Sequence, residues 1–271
     1  MISSFSKSAV AKIAVPALAA LALTACGGGG GGDGGSGSNG AGAGVSVNGT
    51  VARGAAIANA TIQLSCANGA ELTGTSAADG TFTTSRTAVV YPCIGTATAG
   101  TLVYRGILFT NSTANFTPLT DLLVQTVLAA SVSGSASFTL QEFISKIRGD
   151  STFAANVSSS TAVASFRNSV LNVIKAQLIA SGQTEAQATA TLAAAGNFEG
   201  QTFVVGSDLD KVLDNLAATI QNADGSLRTT ILALIKAAGD LLATPASGTA
   251  TGGTGGTGGT GGTGGTGGTG G

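Results

Sequence analysis

Side chains able to do chemistry are scarce in this chain. Its 271 residues include no His, no Trp and three Cys, and only 9% are charged. Without histidine, Ser-His-Asp and Cys-His nucleophilic systems, His-based zinc sites and HExxH hydrolysis are excluded together. Carboxylates, hydroxyls and thiols remain. Asp208, Asp210 and Asp214 crowd one stretch, and Asp210 and Asp214, four apart, share a helical face as a carboxylate pair would. A hydrolase built on such acids needs two of them turned inward and close together in a cleft. The alternative is electrostatic: Asp208 and Asp210 fall in the first turn of a helix begun by Ser207, where the dipole favours negative charge, with Lys211 adjacent. That second reading is adopted. Asn222-Ala223-Asp224-Gly225-Ser226 has some features of a calcium loop, but Ile220 and Ile231 stand where the first and twelfth ligands belong. The glycines at 27–32 satisfy GxGxxG only because every residue is glycine, with no strand before them. Asp79, in Asp79-Gly80, reads as a turn residue. No catalytic, cofactor-binding or metal residue is assigned. The net charge is −1 with no basic patch, which argues against nucleic acid as a partner.

The three thiols have different settings. Lys7 and Lys12 precede an apolar run at 13–23 that is too short for a bilayer, which needs about 20 apolar residues, and that contains Pro16. Small residues Thr24 and Ala25 then lead to Cys26, the layout of a secretory signal. Leu23-Thr24-Ala25-Cys26 resembles the bacterial lipoprotein signal, whose pattern is Leu, two small or uncharged residues, then Cys. The resemblance implies cleavage before Cys26, a diacylglycerol on its sulfur and an acyl chain on its new amino group. Gly27, where Asp would favour inner-membrane retention, implies the outer membrane of a Gram-negative cell. Several acyl chains at about 0.8 kcal/mol per buried CH₂ make a durable anchor. Cys66 and Cys93 are left as an even pair, and in an exported chain they are expected to form a disulfide. The alternative, a reactive thiol, has no His or dense basic cluster to activate it.

These elements divide the chain. Residues 1–25 read as signal peptide and 26–44 as the lipidated Cys with a Gly-rich tether, whose r.m.s. span is about 23 Å. Residues 45–113 read as a small β-sandwich and 114–246 as an all-α bundle. Residues 247–271 are a tail ending in seven TGG triplets, without the proline a collagen helix needs; tether and tail are expected to be disordered. The expected class is therefore α+β in separate domains.

Within 45–113, alternating stretches at 45–51 and 60–66 precede the turn signal Asn68-Gly69. Residues 71–76 lead to Asp79-Gly80 and Thr81-Phe82-Thr83-Thr84; Val89-Val90-Tyr91, 96–99 and 102–109 complete the strands. "VNGTVARGAAIANATIQL" and "SAADGTF" resemble the carboxypeptidase regulatory-like domain, a transthyretin-like sandwich, with Ala56 where the family usually has Pro. That resemblance implies a non-catalytic folded spacer or binding module on an exported protein.

From 115 the period changes. Thr117 suits an N-cap and Pro118 the first helical position; Leu119, Leu122, Leu123, Thr126 and Val127 form one face. "NFTPLTDLL" is similar to a segment found in bacterial exported lipoproteins at the entry to a helical region. Thr117, Thr120 and Asp121 could instead form a polar site, but capping and dipole stabilisation account for them. Further helices are expected at 138–147, from Val163 to Leu178, from Thr184 (a capping box with Gln187) through Ala195, after Ser207, and after a Ser226 cap with Leu227, Ile231, Leu234 and Ile235 facing inward. The expected function is a non-enzymatic envelope lipoprotein without cofactor, held by membrane lipid through Cys26, with an envelope protein or polymer as its candidate partner. The alternatives are a binding protein with a small or polymeric ligand between the two domains, and the carboxylate hydrolase.

Overall fold

A computed structural model describes residues 44–110, 112–132 and 137–242. The signal, Cys26, the tether and the TGG tail lie outside them. Seven strands come first: β1 (Asn48–Val51), β2 (Thr61–Cys66), β3 (Glu71–Thr75), β4 (Thr81–Thr83), β5 (Cys93–Ala99), β6 (Leu102–Leu108) and β7 (Thr113–Phe116). Seven α-helices follow: α1 (Pro118–Ala130), α2 (Leu140–Gly149), α3 (Ser151–Val157), α4 (Ser160–Ala180), α5 (Glu185–Thr191), α6 (Asp208–Ile220) and α7 (Thr229–Asp240). The expected succession of a strand-rich half and a helical half is what the structure shows.

The strands form two sheets, ordered β4-β1-β7 and β3-β2-β5-β6. Period-2 alternation decides what each buries: in β2, Ile62, Leu64 and Cys66 point inward while Thr61 and Gln63 are exposed. Val51 and Phe116 from the first sheet, with Val47 just before β1, share a core with Ile62, Leu64, Leu72 and Tyr104 from the second. Asn68-Gly69 makes the β2–β3 turn, with Gly69 at φ 82°. At the next turn the Asp79 carboxylate accepts from Thr81 N at 3.0 Å and Thr81 Oγ1 at 2.7 Å, the expected turn role.

Two strand assignments change. Val89-Val90-Tyr91 joins no ladder; Val90 is exposed, and Pro92, without an N–H, follows directly. Residues 113–116, where a domain boundary was expected, form β7, parallel to β1 with Ala114 opposite Gly49.

The helical half explains why a boundary there fails. Thr117 caps α1 in a capping box with Thr120, and Pro118 opens the helix. Every residue of α1 except Gln125 is buried, so the helix has no solvent face. A helix apolar nearly all round sits in the middle of a core. One side of α1 lies on β6, the others against α4, α6 and α7. Ala52, Ile94, Ile107 and Phe109 of the strand half belong to the same apolar core as Leu123, Phe143, Phe166 and Leu213 of the helices. Strands and helices therefore form one compact unit, not separate domains.

Most other helices follow their local signals. Thr139 with Glu142 and Thr184 with Gln187 are capping boxes for α2 and α5, and Ser207 caps α6. α3, which apolar spacing did not indicate, is a short helix capped by Asp150. α5 ends at Thr191, and a 3₁₀ turn replaces its expected last turn at Ala193–Ala195. α7 starts after Arg228, not Ser226, because Ser226 Oγ and N both bond to the Asp224 carboxylate. Its inward face is Ile231, Ile235 and Gly239, while Leu234 is 40% exposed. Gly239 lets α7 approach α1: a Cβ there would lie 2.7 Å from Ala129 Cβ and 2.8 Å from Thr126 O.

Candidate functional site

The seam between strands and helices leaves a cleft of about 300 Å³. Ile107 and Phe109 reach it from β6 and the turn after it, with Thr110 at the rim. Ser158 and Ser160 come from the α3–α4 junction, Val163 and Arg167 from α4, and Asn197, Glu199 and Gly200 from the segment after the 3₁₀ turn. α4 is held in place by Phe166, whose ring stacks at 6.5 Å on Phe109, and by Val170, Ile174 and Leu178 below it. Register along α4 then sets Arg167 beside the buried stripe.

Arg167 is the hub of the cleft. Its Nη1 donates to Asn197 Oδ1 at 2.8 Å and to Glu199 Oε1 at 3.0 Å. Glu199 is 7% exposed, and its Oε2 is buried without a hydrogen-bond partner. Burial pushes the Glu199 carboxyl up, with its own backbone N–H and the Arg167 charge pulling the other way. Ser158 Oγ is likewise buried and unpartnered. A lining with one paired cation, one half-satisfied carboxylate and hydroxyls over an apolar floor has the chemistry of a site for a small ligand carrying hydrogen-bond donors.

The segments beside the cleft are tied to the sheets by polar bonds. Asn115 Nδ2 donates to Gln201 O at 2.7 Å and Phe198 O at 3.3 Å, and Thr50 Oγ1 donates to Phe203 O at 3.0 Å. Further along, Tyr104 Oη donates to Gly225 O at 2.7 Å; burial pushes the Tyr104 hydroxyl well above its ordinary pKa.

Residues singled out in the sequence fall elsewhere. Cys66 and Cys93 pair across β2 and β5 as a disulfide with S–S 2.04 Å, and both are fully buried. Thr117 and Thr120 are capping residues, and Thr120 Oγ1 also donates to Arg105 O. Asp121 is buried and ion-paired to Arg105 at 2.9 Å, so it clasps α1 to β6 in addition to sitting in the first turn. Burial raises the Asp121 carboxyl, opposed by Arg105. Asp208 is exposed and pairs with Lys211 at 2.8 Å, whereas Asp210 is buried and accepts from Gly206 N at 2.7 Å. Asp214 is exposed. The three acids thus do not share one inward-facing site. Among the described residues no group of three or more Cys, Asp or Glu could hold a metal ion, and no helix is long and apolar enough to cross a membrane.

The cleft residues were missed because they come from three distant stretches; Arg167 and Glu199 are 32 positions apart. The one available signal was Glu199 beside Phe198 in a stretch poor in charge. No protein-family model matches the chain, and neither does any curated protein or solved structure.

Proposed function

We propose that this chain is a cell-envelope lipoprotein, anchored by acylation of Cys26 in the outer membrane of a Gram-negative bacterium. Its folded unit acts as a non-enzymatic structural or binding module, and its strand half is a carboxypeptidase regulatory-like sandwich. The observation that carries the reading is the Cys66–Cys93 disulfide, enclosed in the sheet core. Such a bond persists in an oxidising compartment, which a chain exported by a signal cleaved before Cys26 would reach. Seven strands in two facing sheets support the sandwich reading. The test is metabolic palmitate labelling and membrane fractionation of the parent and Cys26→Ser. Label and membrane association should both vanish in the variant, and globomycin should block processing of the parent. Unchanged processing and fractionation in Cys26→Ser would sink the anchor.

A second reading, a ligand held between strand and helical halves, is favoured by the unpartnered Glu199 Oε2 and Ser158 Oγ at the cleft. A thermal-shift screen of envelope glycan fragments and polyols tests it. A hit whose shift is lost in Glu199→Gln supports it, and a hit indifferent to that change places the ligand elsewhere.

A further inference from the structure

A second recess, of about 400 Å³, lies away from the cleft. It is lined by Arg53 just after β1, by Ala217, Ala218 and Gln221 at the end of α6, by the 222–225 turn, and by Arg228 at the start of α7. Its charge is unusual for this chain. Seven of the lysines and arginines are in ion pairs with Asp or Glu. Arg53 and Arg228 make no close ion pair among the described residues, although the Arg53 charge helps to lower the Asp224 carboxyl; their hydrogen bonds go to the backbone, Arg53 Nη1 to Asp224 O at 3.0 Å and Arg228 Nε to Gln221 O at 2.9 Å. Most of both guanidinium forks is left unused.

Gln221, which also lines the recess, is 6% exposed, and its Nε2 is buried with no acceptor. A buried amide donor left unmade costs about 1–3 kcal/mol, so the arrangement calls for an acceptor. Two nearby backbone acceptors are already engaged. Ile220 O takes the N–H of Arg228, and Gln221 O takes its Nε. Asp224 Oδ1 accepts from Ser226 N at 2.9 Å and from Ser226 Oγ at 2.6 Å. α7 also begins here without a side-chain cap, which leaves the positive end of its dipole uncompensated. Two planar cationic forks and an amide donor around one opening match the several acceptor oxygens of a tetrahedral anion.

We propose that this recess binds a phosphate-type oxyanion, taken from free phosphate or from a phosphorylated lipid headgroup. Arg53 and Arg228 grip it bidentately, and Gln221 supplies the third donor. The site stands whether or not the chain is a lipoprotein.

The experiment uses the whole chain and its Arg53→Gln/Arg228→Gln variant, with folding of both checked by circular dichroism. Inorganic phosphate is titrated against sodium chloride at equal ionic strength, and the melting temperature is read. The parent should show a phosphate-specific rise, and the variant should bind about tenfold or more weakly, since two charge-assisted contacts are lost. Sedimentation with phosphatidylglycerol and phosphatidylcholine vesicles separates the sources, read as the difference between parent and variant so that any anchor cancels. A fall confined to phosphatidylglycerol assigns a lipid headgroup; equal sedimentation, with a phosphate response present in the parent and lost in the variant, assigns the free anion. The proposal is overturned if phosphate and chloride act alike on the parent and both chains sediment alike, or if the variant keeps the parent's phosphate response. Should the double variant not fold, the single Arg228→Gln change carries the same comparison.

Discussion

Breaking the Cys66–Cys93 bond should lower stability by an amount that follows from where the two residues sit in the chain. They are 27 positions apart. Closing such a loop removes about 12 cal/mol/K of entropy from the unfolded chain, about 3.5 kcal/mol at 25 °C. Both sulfurs are fully buried, so replacing them with alanine would add a cavity penalty and blur the comparison. Reduction leaves the sulfurs in place and isolates the loop term. The assay is urea unfolding of the Cys26→Ser chain, equilibrated with and without a phosphine reductant, with thiols counted in the unfolded baseline. Two thiols should titrate only after reduction. The unfolding free energy should fall by about 3.5 kcal/mol and the melting temperature by about 7–14 °C for a unit of this size. The urea slope should rise, because the reduced unfolded chain exposes more surface. Two free thiols before reduction would refute the bond itself. A loss under about 1 kcal/mol with the bond verifiably broken would refute the loop-entropy argument.

The helix packing and the cleft yield three further tests. Gly239→Ala should cost about 1–3 kcal/mol by urea unfolding, because the new methyl meets Ala129 Cβ at 2.7 Å and the Thr126 carbonyl at 2.8 Å; a neutral result would mean that α1 and α7 separate freely. Leu234→Lys should change stability by no more than about 0.5 kcal/mol, whereas Leu123→Ala should cost about 2–5; the reverse order would show that the face of α7 is misassigned. Glu199 has its carboxyl raised above the ordinary 4.5 by burial. Its folded form therefore holds a proton more tightly, and its contribution to stability is fully present below 4.5 and lost as pH rises through the raised value. Relative to the parent, Glu199→Gln should gain stability as pH goes from 4.5 to 8, and parallel pH profiles would contradict the burial argument.

What was legible in the sequence is what is decided locally. Thr117-Pro118, Thr184 with Gln187, and Ser207 announce helix starts because a cap is a bond to a backbone N–H within three residues. Asn68-Gly69 and Asp79-Gly80 announce turns because they supply the backbone angles turns require. The same logic failed at Ser226, a good cap residue whose hydroxyl is taken by Asp224 two positions away. It failed at 113–116, where four residues form a strand only because β1 offers a partner from 65 residues earlier in the register Asn48 to Thr113. The disulfide was legible because the pairing partners were few. The cleft was not: Arg167, Glu199 and Phe109 acquire a relation only when α1 is inserted between β6 and the other helices, and no local pattern encodes that insertion.

The enclosure of α1 also limits what recombination can do with this chain. A strand half moved to another protein would carry Ile94, Ile107 and Phe109 with nothing over them. A helical half moved alone would bare the side of α1 that lies on β6 and lose the Arg105 clasp on Asp121. A cut at the point where strands give way to helices would therefore bare apolar surface on both pieces.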